Sequence, residues 1–135
     1  MNTYADIVAG YDALFATIPA IKRVLWHMPS TIHTDVLLYT DEVLTEYEAT
    51  EAGQVVKHLW RMFHTLVVPI QDPQGAKDAL VSIREQVLTA VRNDPRLGNR
   101  LTTGYTRIVR GAGRYETIGE ITCAAYEFVS ESFFK

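Results

Sequence analysis

Between Ala76 and Val91 the apolar positions return at helical intervals. Ala76, Leu80, Ile83, Val87 and Val91 are four, three, four and four residues apart, which stacks them on one side of a 3.6-residue helix. Lys77, Asp78, Arg84, Glu85 and Arg92 fall off that stripe and can stay in water. Asp72 is placed to cap the free N–H groups of the first turn, and Pro73 occupies the first helical position, where a missing N–H costs nothing. Pro95 disfavours helical dihedrals at Asp94 and ends the element. An earlier stripe, Tyr4, Ile7, Val8, Tyr11, Leu14, Phe15 and Ile18, predicts a helix over residues 3–18, capped by Thr3 and stopped by Pro19.

Elsewhere the period falls to two. Residues 21–28 read as a short strand or extended edge, Pro29-Ser30-Thr31 as a turn, and Ile32–Tyr39 as extended but weakly patterned. Asp41–Ala49 alternates, with Val43, Thr45 and Tyr47 facing one way and Glu42, Leu44, Glu46 and Glu48 the other. After a turn at Glu51-Ala52-Gly53-Gln54, the residues Val56, His58, Trp60, Met62, His64, Leu66, Val68 and Ile70 share one face of a second arm. Past Pro95, a strand over Leu101–Arg110, a turn at Gly111-Ala112-Gly113 and a strand over Thr117–Val129 complete the pattern, with Ser130–Lys135 as a tail.

These elements predict an α+β fold: a mostly antiparallel sheet of four or five strands with a long hairpin, and two helices packed on one face. The expected core is Ile7, Tyr11, Leu14, Trp60, Met62, Leu66, Val68, Leu80, Ile83, Val87, Ile108 and Ile121. The 135 residues show no repeat or linker, so they read as one domain, 1–135, large enough to bury a core without staples.

Composition changes this picture little. A formal net charge of -3 argues against a general nucleic-acid binder. Cys123 is the only cysteine, which excludes an intrachain disulfide and fits a reducing compartment. No basic, apolar leader precedes Asp6, and no apolar run reaches the roughly 18 residues a bilayer requires. The expectation is a soluble protein made in the cytoplasm, without a membrane.

Candidate chemistry is thin. His58 and His64 share a strand face but lie about 20 Å apart along it, too far to share a metal. His27 and His33 bracket a turn without a carboxylate or cysteine beside them in sequence. These four read as ordinary half-buried or surface histidines. Cys123 sits among Ile121, Thr122, Ala124 and Ala125 and reads as a small hydrophobe. Gly111-Ala112-Gly113-Arg114 lacks the lysine and strand–loop–helix context of a phosphate loop. It reads as a hairpin tip made basic by Arg107, Arg110 and Arg114. The acidic arm Asp41, Glu42, Glu46, Glu48 and Glu51 reads as a solvated or partner-facing surface that also discourages indiscriminate edge pairing. No catalytic, cofactor or metal signature is present, so the residues point to a non-enzymatic domain. A small oligomeric enzyme using His27 or His58 with a carboxylate brought close by folding is the alternative of a different class.

Three stretches carry a family likeness: the helix Tyr4–Ile18 leading to an extended segment with Pro29; the strand Trp60–Val68 leading into the helix Ala76–Val91; and Asn93-Asp94-Pro95-Arg96-Leu97-Gly98 followed by two strands. In this order they resemble the tail terminator proteins of long-tailed bacteriophages. The resemblance implies a structural virion protein at the head-proximal end of the tail. It would form a hexameric ring that caps the tube, ends its polymerisation and meets the head connector, with DNA only passing through the lumen. The implied partners are further copies of the chain, the tail tube protein and the connector or neck protein. No cofactor is implied. Neck and tail-completion proteins share a similar small fold and are the runner-up. Within this reading the candidate contacts are Glu51 and Gln54 at the long hairpin tip, and Arg107, Arg110 and Arg114 at the basic one. The acidic arm is a candidate negative lining for the DNA path.

Overall fold

Two long hairpins supply four strands of a five-stranded sheet, and two helices lie against one of its faces. The computed structural model describes residues 4–49, 51–53, 55–101 and 104–134. Its elements are α1 (Tyr4–Phe15), β1 (Arg23–Leu25), β2 (Leu37–Ala49), β3 (Val55–Pro69), α2 (Pro73–Asn93), β4 (Tyr105–Ile118) and β5 (Ile121–Phe134). The strand order is β1-β2-β3-β5-β4. Only the short β1 runs parallel to its neighbour, and every other pairing is antiparallel. The expected α+β class, long hairpin and helix placement therefore hold. Thr3, Gln54 and Lys135, named above as cap, contact and tail, lie outside the described residues, as do Thr102 and Thr103 of the strand expected from Leu101.

α2 forms for the reasons its sequence states. The Asp72 carboxylate accepts from the Gly75 N–H at 3.1 Å, and Ala76, Ile83, Val87 and Val91 are buried. Burying the Ile83, Val87 and Val91 side chains contributes about 1.5–3 kcal/mol each. At its end Asp94 accepts from the Gly98 N–H at 2.9 Å, and Leu97, held at φ 50, is driven into the core. The Asn-Asp-Pro-x-Leu-Gly phrase is thus a helix stop that plants an apolar plug. α1 ends at Phe15, sooner than Pro19 requires; Ile18 still reaches the core from the following turn.

The helix-side core joins Ile7, Tyr11, Leu14 and Phe15 of α1 to Met62, Leu66 and Phe128 of the sheet and to the α2 stripe. Trp60, Leu80 and Ile108 pack at its margin. A smaller core lies on the opposite face, made by Leu37, Tyr39, Val67, Ile118 and Cys123 and covered by Ile32 from the connection between β1 and β2. Ile121, expected on the helix side, belongs to this second cluster. Leu37–Tyr39, expected as weakly patterned, are buried because this end of the sheet is covered on both faces.

The second hairpin departs from expectation. Gly111-Ala112-Gly113 is no turn: β4 runs straight through it, and Gly111, Ala112 and Gly113 pair with Phe128, Glu127 and Tyr126. A Cβ on Gly111 would sit 2.4 Å from Tyr126 Cε1, so the glycine is there to let the tyrosine ring lie across the strand. The chain turns at Gly119, whose φ of +61 suits glycine. Thr117, expected to open the last strand, therefore lies near the end of β4, which closes at Ile118, and Ser130–Phe134 extends β5 rather than forming a tail, with Ser130 and Ser132 buried.

Candidate partner interface

Along β2 the predicted alternation is observed. Val43 lies opposite Met62 on the helix side, while Glu42 and Leu44 lie opposite Phe63 and Arg61 on the open face. A register shift between Thr40 and Glu42 separates the buried start of the strand from its exposed end. Beyond Tyr39 no strand pairs with the outer edge of β2 among the described residues. Glu51 is exposed at the hairpin tip.

The three arginines are not gathered at a tip. They form a row on the open face of β4, with Arg107 opposite Glu131, Arg110 opposite Val129 and Arg114 opposite Ala125. Their numbers do not share one parity; a bulge between Ile108 and Arg110 brings Arg110 and Arg114 onto the face of Arg107. The outer edge of β4 carries no strand either among the described residues. The Pro95 carbonyl covers it at Thr106, accepting that residue's N–H at 2.6 Å. Glu51 and the arginine row thus belong to different hairpins, on opposite flanks of the sheet.

The open face between the flanks is laced by charge. Arg61 meets Glu131 at 2.9 Å and Glu46 at 3.8 Å, and Arg107 meets Glu131 at 3.5 Å. One ladder therefore crosses all four long strands. A second joins Arg114 to Glu127 at 2.9 Å and to Glu116 at 3.5 Å. Glu116 also accepts from the Tyr39 hydroxyl at 2.7 Å, and burial together with this carboxylate pushes Tyr39 up to about 12. Lys57 and Arg107 lie over the Phe133 ring at 4.6 and 5.3 Å. Leu44, Phe63, Val109 and Val129 line a shallow recess on this face, rimmed by Arg61 and Arg110.

The helix-covered face holds the polar groups that sequence reading missed. His64, expected as half-buried or surface, is 1% exposed. Its Nδ1 is 2.7 Å from Thr40 Oγ1 and its Nε2 is 2.8 Å from Ser130 Oγ. Burial lowers it to about 3, so it is neutral, with one ring nitrogen donating and the other accepting. Beside it, Tyr11 bonds Thr106 and Ser132, which bond each other at 3.0 Å. The apolar alternation of β3 indicates that His64 faces inward, but nothing local identifies Thr40 and Ser130 as its partners. These groups are enclosed, so they position α1 on the sheet rather than meet a ligand. His27 and His33 are exposed and His58 is half-buried. The Cys123 thiol is buried, and burial followed by the Glu116 charge raises it, which disfavours the thiolate. Among the described residues no group of histidine, cysteine and carboxylates is arranged to hold a metal. None of their helices is long and apolar enough to cross a membrane. No protein-family model matches this sequence, and no curated protein matches it.

Proposed function

We propose that this chain is a structural virion protein of a long-tailed phage. It closes into a hexameric ring on the head-proximal end of the tail tube, ends tube polymerisation and offers its other face to the head connector. The observation that carries the reading is the unlikeness of the two open flanks, acidic along β2 and basic along β4. A ring joins each subunit head-to-tail, so its two contact surfaces must differ and complement one another. The arrangement of helices and strands and the Asn93–Gly98 helix stop support the family likeness that supplies the tube and connector as partners. Catalysis plays no part in this function, and DNA only passes through the lumen.

The test is electron microscopy of lysates from a phage whose copy of this gene is interrupted. Overlong, headless tails are the expected result. Tails of normal length beside unjoined, DNA-filled heads would assign the protein to the neck instead. Normal particles would remove it from virion assembly.

A further inference from the structure

We infer that copies of this chain join edge to edge, with residues 107–114 of β4 pairing antiparallel to residues 42–48 of a neighbour's β2 in one fixed register. This inference rests on the ring-forming reading above and names the contact that closes the ring. Three independent features lead to it.

The first is topology. β2 and β4 are the flanking long strands, and the three antiparallel pairings between them make them run in opposite directions. A second copy added head-to-tail, with its sheet continuing the first, therefore meets β4 with an antiparallel β2. Both edges are bounded in the monomer. Among the described residues, β1 occupies β2 only as far as Tyr39, and the Pro95 carbonyl occupies β4 only at Thr106.

The second is charge. On the open face β2 presents Glu42, Leu44, Glu46 and Glu48, and β4 presents Arg107, Arg110, Ala112 and Arg114. Antiparallel alignment sets Arg107 against Glu48, Arg110 against Glu46, Ala112 against Leu44 and Arg114 against Glu42. Every charged side chain gains an opposite, and the two apolar residues meet. Sliding the strands by one two-residue step in either direction leaves a single Arg–Glu pair. One of those slides also sets Glu116 against Glu42. Pairing of like with unlike across adjacent strands is the ordinary determinant of register.

The third is exposure. Leu44 and Tyr47 on β2 and Tyr105, Val109 and Tyr115 on β4 are among the most exposed large hydrophobic side chains of the chain, Tyr47 at 70% and Tyr115 at 79%. Long free edges that carry such residues are an aggregation hazard unless a defined partner covers them.

Two reciprocal charge reversals test the pairing in the full-length chain. One variant combines Glu42→Arg, Glu46→Arg and Glu48→Arg, and the other combines Arg107→Glu, Arg110→Glu and Arg114→Glu. Sedimentation velocity and native mass spectrometry should find wild-type oligomers at high micromolar concentration. Each variant alone should associate about a hundredfold more weakly, since three attractive pairs become repulsive. Mixing the two variants should restore assembly, because each then offers the edge the other lacks. Should a reversed variant fail to fold, Leu44→Cys with Ala112→Cys in a Cys123→Ala background reads the same register. Oxidation should link chains through residues 44 and 112. Oligomers that persist in both reversed variants, with no 44–112 link in the cysteine variant, would overturn the edge pairing while leaving a ring by another surface. A wild-type chain that stays monomeric, together with a cysteine variant that gives no 44–112 link, would overturn it outright. Paired edges from a chain whose gene interruption leaves tails normal would keep the contact and remove the terminator role.

Discussion

The two faces of the sheet solve the problem of polar groups in opposite ways. Under the helices, polar side chains are few, neutral and enclosed: His64 between Thr40 and Ser130, and Tyr11 between Thr106 and Ser132. On the open face they are numerous, charged and partly hydrated, as in Glu46–Arg61–Glu131–Arg107. A buried polar group is costly unless its bonds are made, and the groups enclosed between α1 and the sheet are neutral and hydrogen-bonded. Exposed ion pairs contribute little stability, but they remain available to exchange partners. The covered face holds the larger core, and the open face combines a smaller core at one end with exposed charge.

The largest expected effect tests the covered face alone. Ile83 is 4% exposed, and Ile83→Asp places an unpaired carboxylate in the core, at a cost of more than about 4 kcal/mol. The variant should be insoluble or unfolded by circular dichroism; a soluble protein with a normal melt would show the α2 packing to be wrong.

Acid should reach the same face through His64. The folded chain holds this histidine at about 3, against the usual 6.5, so between those values protons bind the unfolded state preferentially. The stability it contributes is fully present above about pH 6.5 and is lost as pH falls toward 3, at up to about 1.4 kcal/mol per pH unit. Thermal melts between pH 7 and 5, above the main carboxylate range, should show wild type losing stability while His64→Gln is flatter. Equal slopes for the two proteins would mean that His64 is not held neutral.

A glycine substitution probes the boundary between faces. Gly111→Ala forces its new methyl into the Tyr126 ring, which itself packs against Phe128 and lies beneath Arg84, and should cost about 1–3 kcal/mol. Gly113→Ala meets its nearest atom, on the same ring, at 3.8 Å and should be within about 0.5 kcal/mol of neutral. Denaturant titration of the pair separates a close approach from a general intolerance of side chains in β4.

The smallest effect belongs to the open face. A double-mutant cycle on Arg61→Met and Glu131→Gln should give a coupling of about 0.5–1 kcal/mol that shrinks in high salt. A coupling of several kcal/mol, insensitive to salt, would mean that this ladder is structural in the way the His64 cluster is.

Sequence reading was most reliable where one residue's local chemistry decides its structure. Asp72 and Pro73 start α2, Pro95 ends it, and the inward stripes of α1, α2 and β3 identify most of the helix-side core. It failed at Gly111–Gly113, because glycine serves a tight turn and a close approach equally well, and only the ring of Tyr126 from another strand decides between them. It mistook Ser130–Phe134 for a tail, because serines signal exposure unless distant partners such as His64 and Tyr11 satisfy their hydroxyls.

The candidate interface divides along the same line. The acidic face of β2 was legible, since Glu42, Glu46 and Glu48 keep a strict period of two along an unbroken stretch of strand. The arginines were legible as a basic group but not as a row, because 107, 110 and 114 share a face only through the bulge after Ile108. The sequence by itself determined the class of fold, the limits of α2 and the sign of charge on each hairpin, all properties set within a turn or two of chain. Tertiary structure alone decided that the two charged strands flank one sheet, with no neighbouring strand, among the described residues, beyond Tyr39 of β2 or along the outer side of β4. Edges are defined by which strands do not pair, and pairing joins residues too far apart in the chain for local pattern to specify.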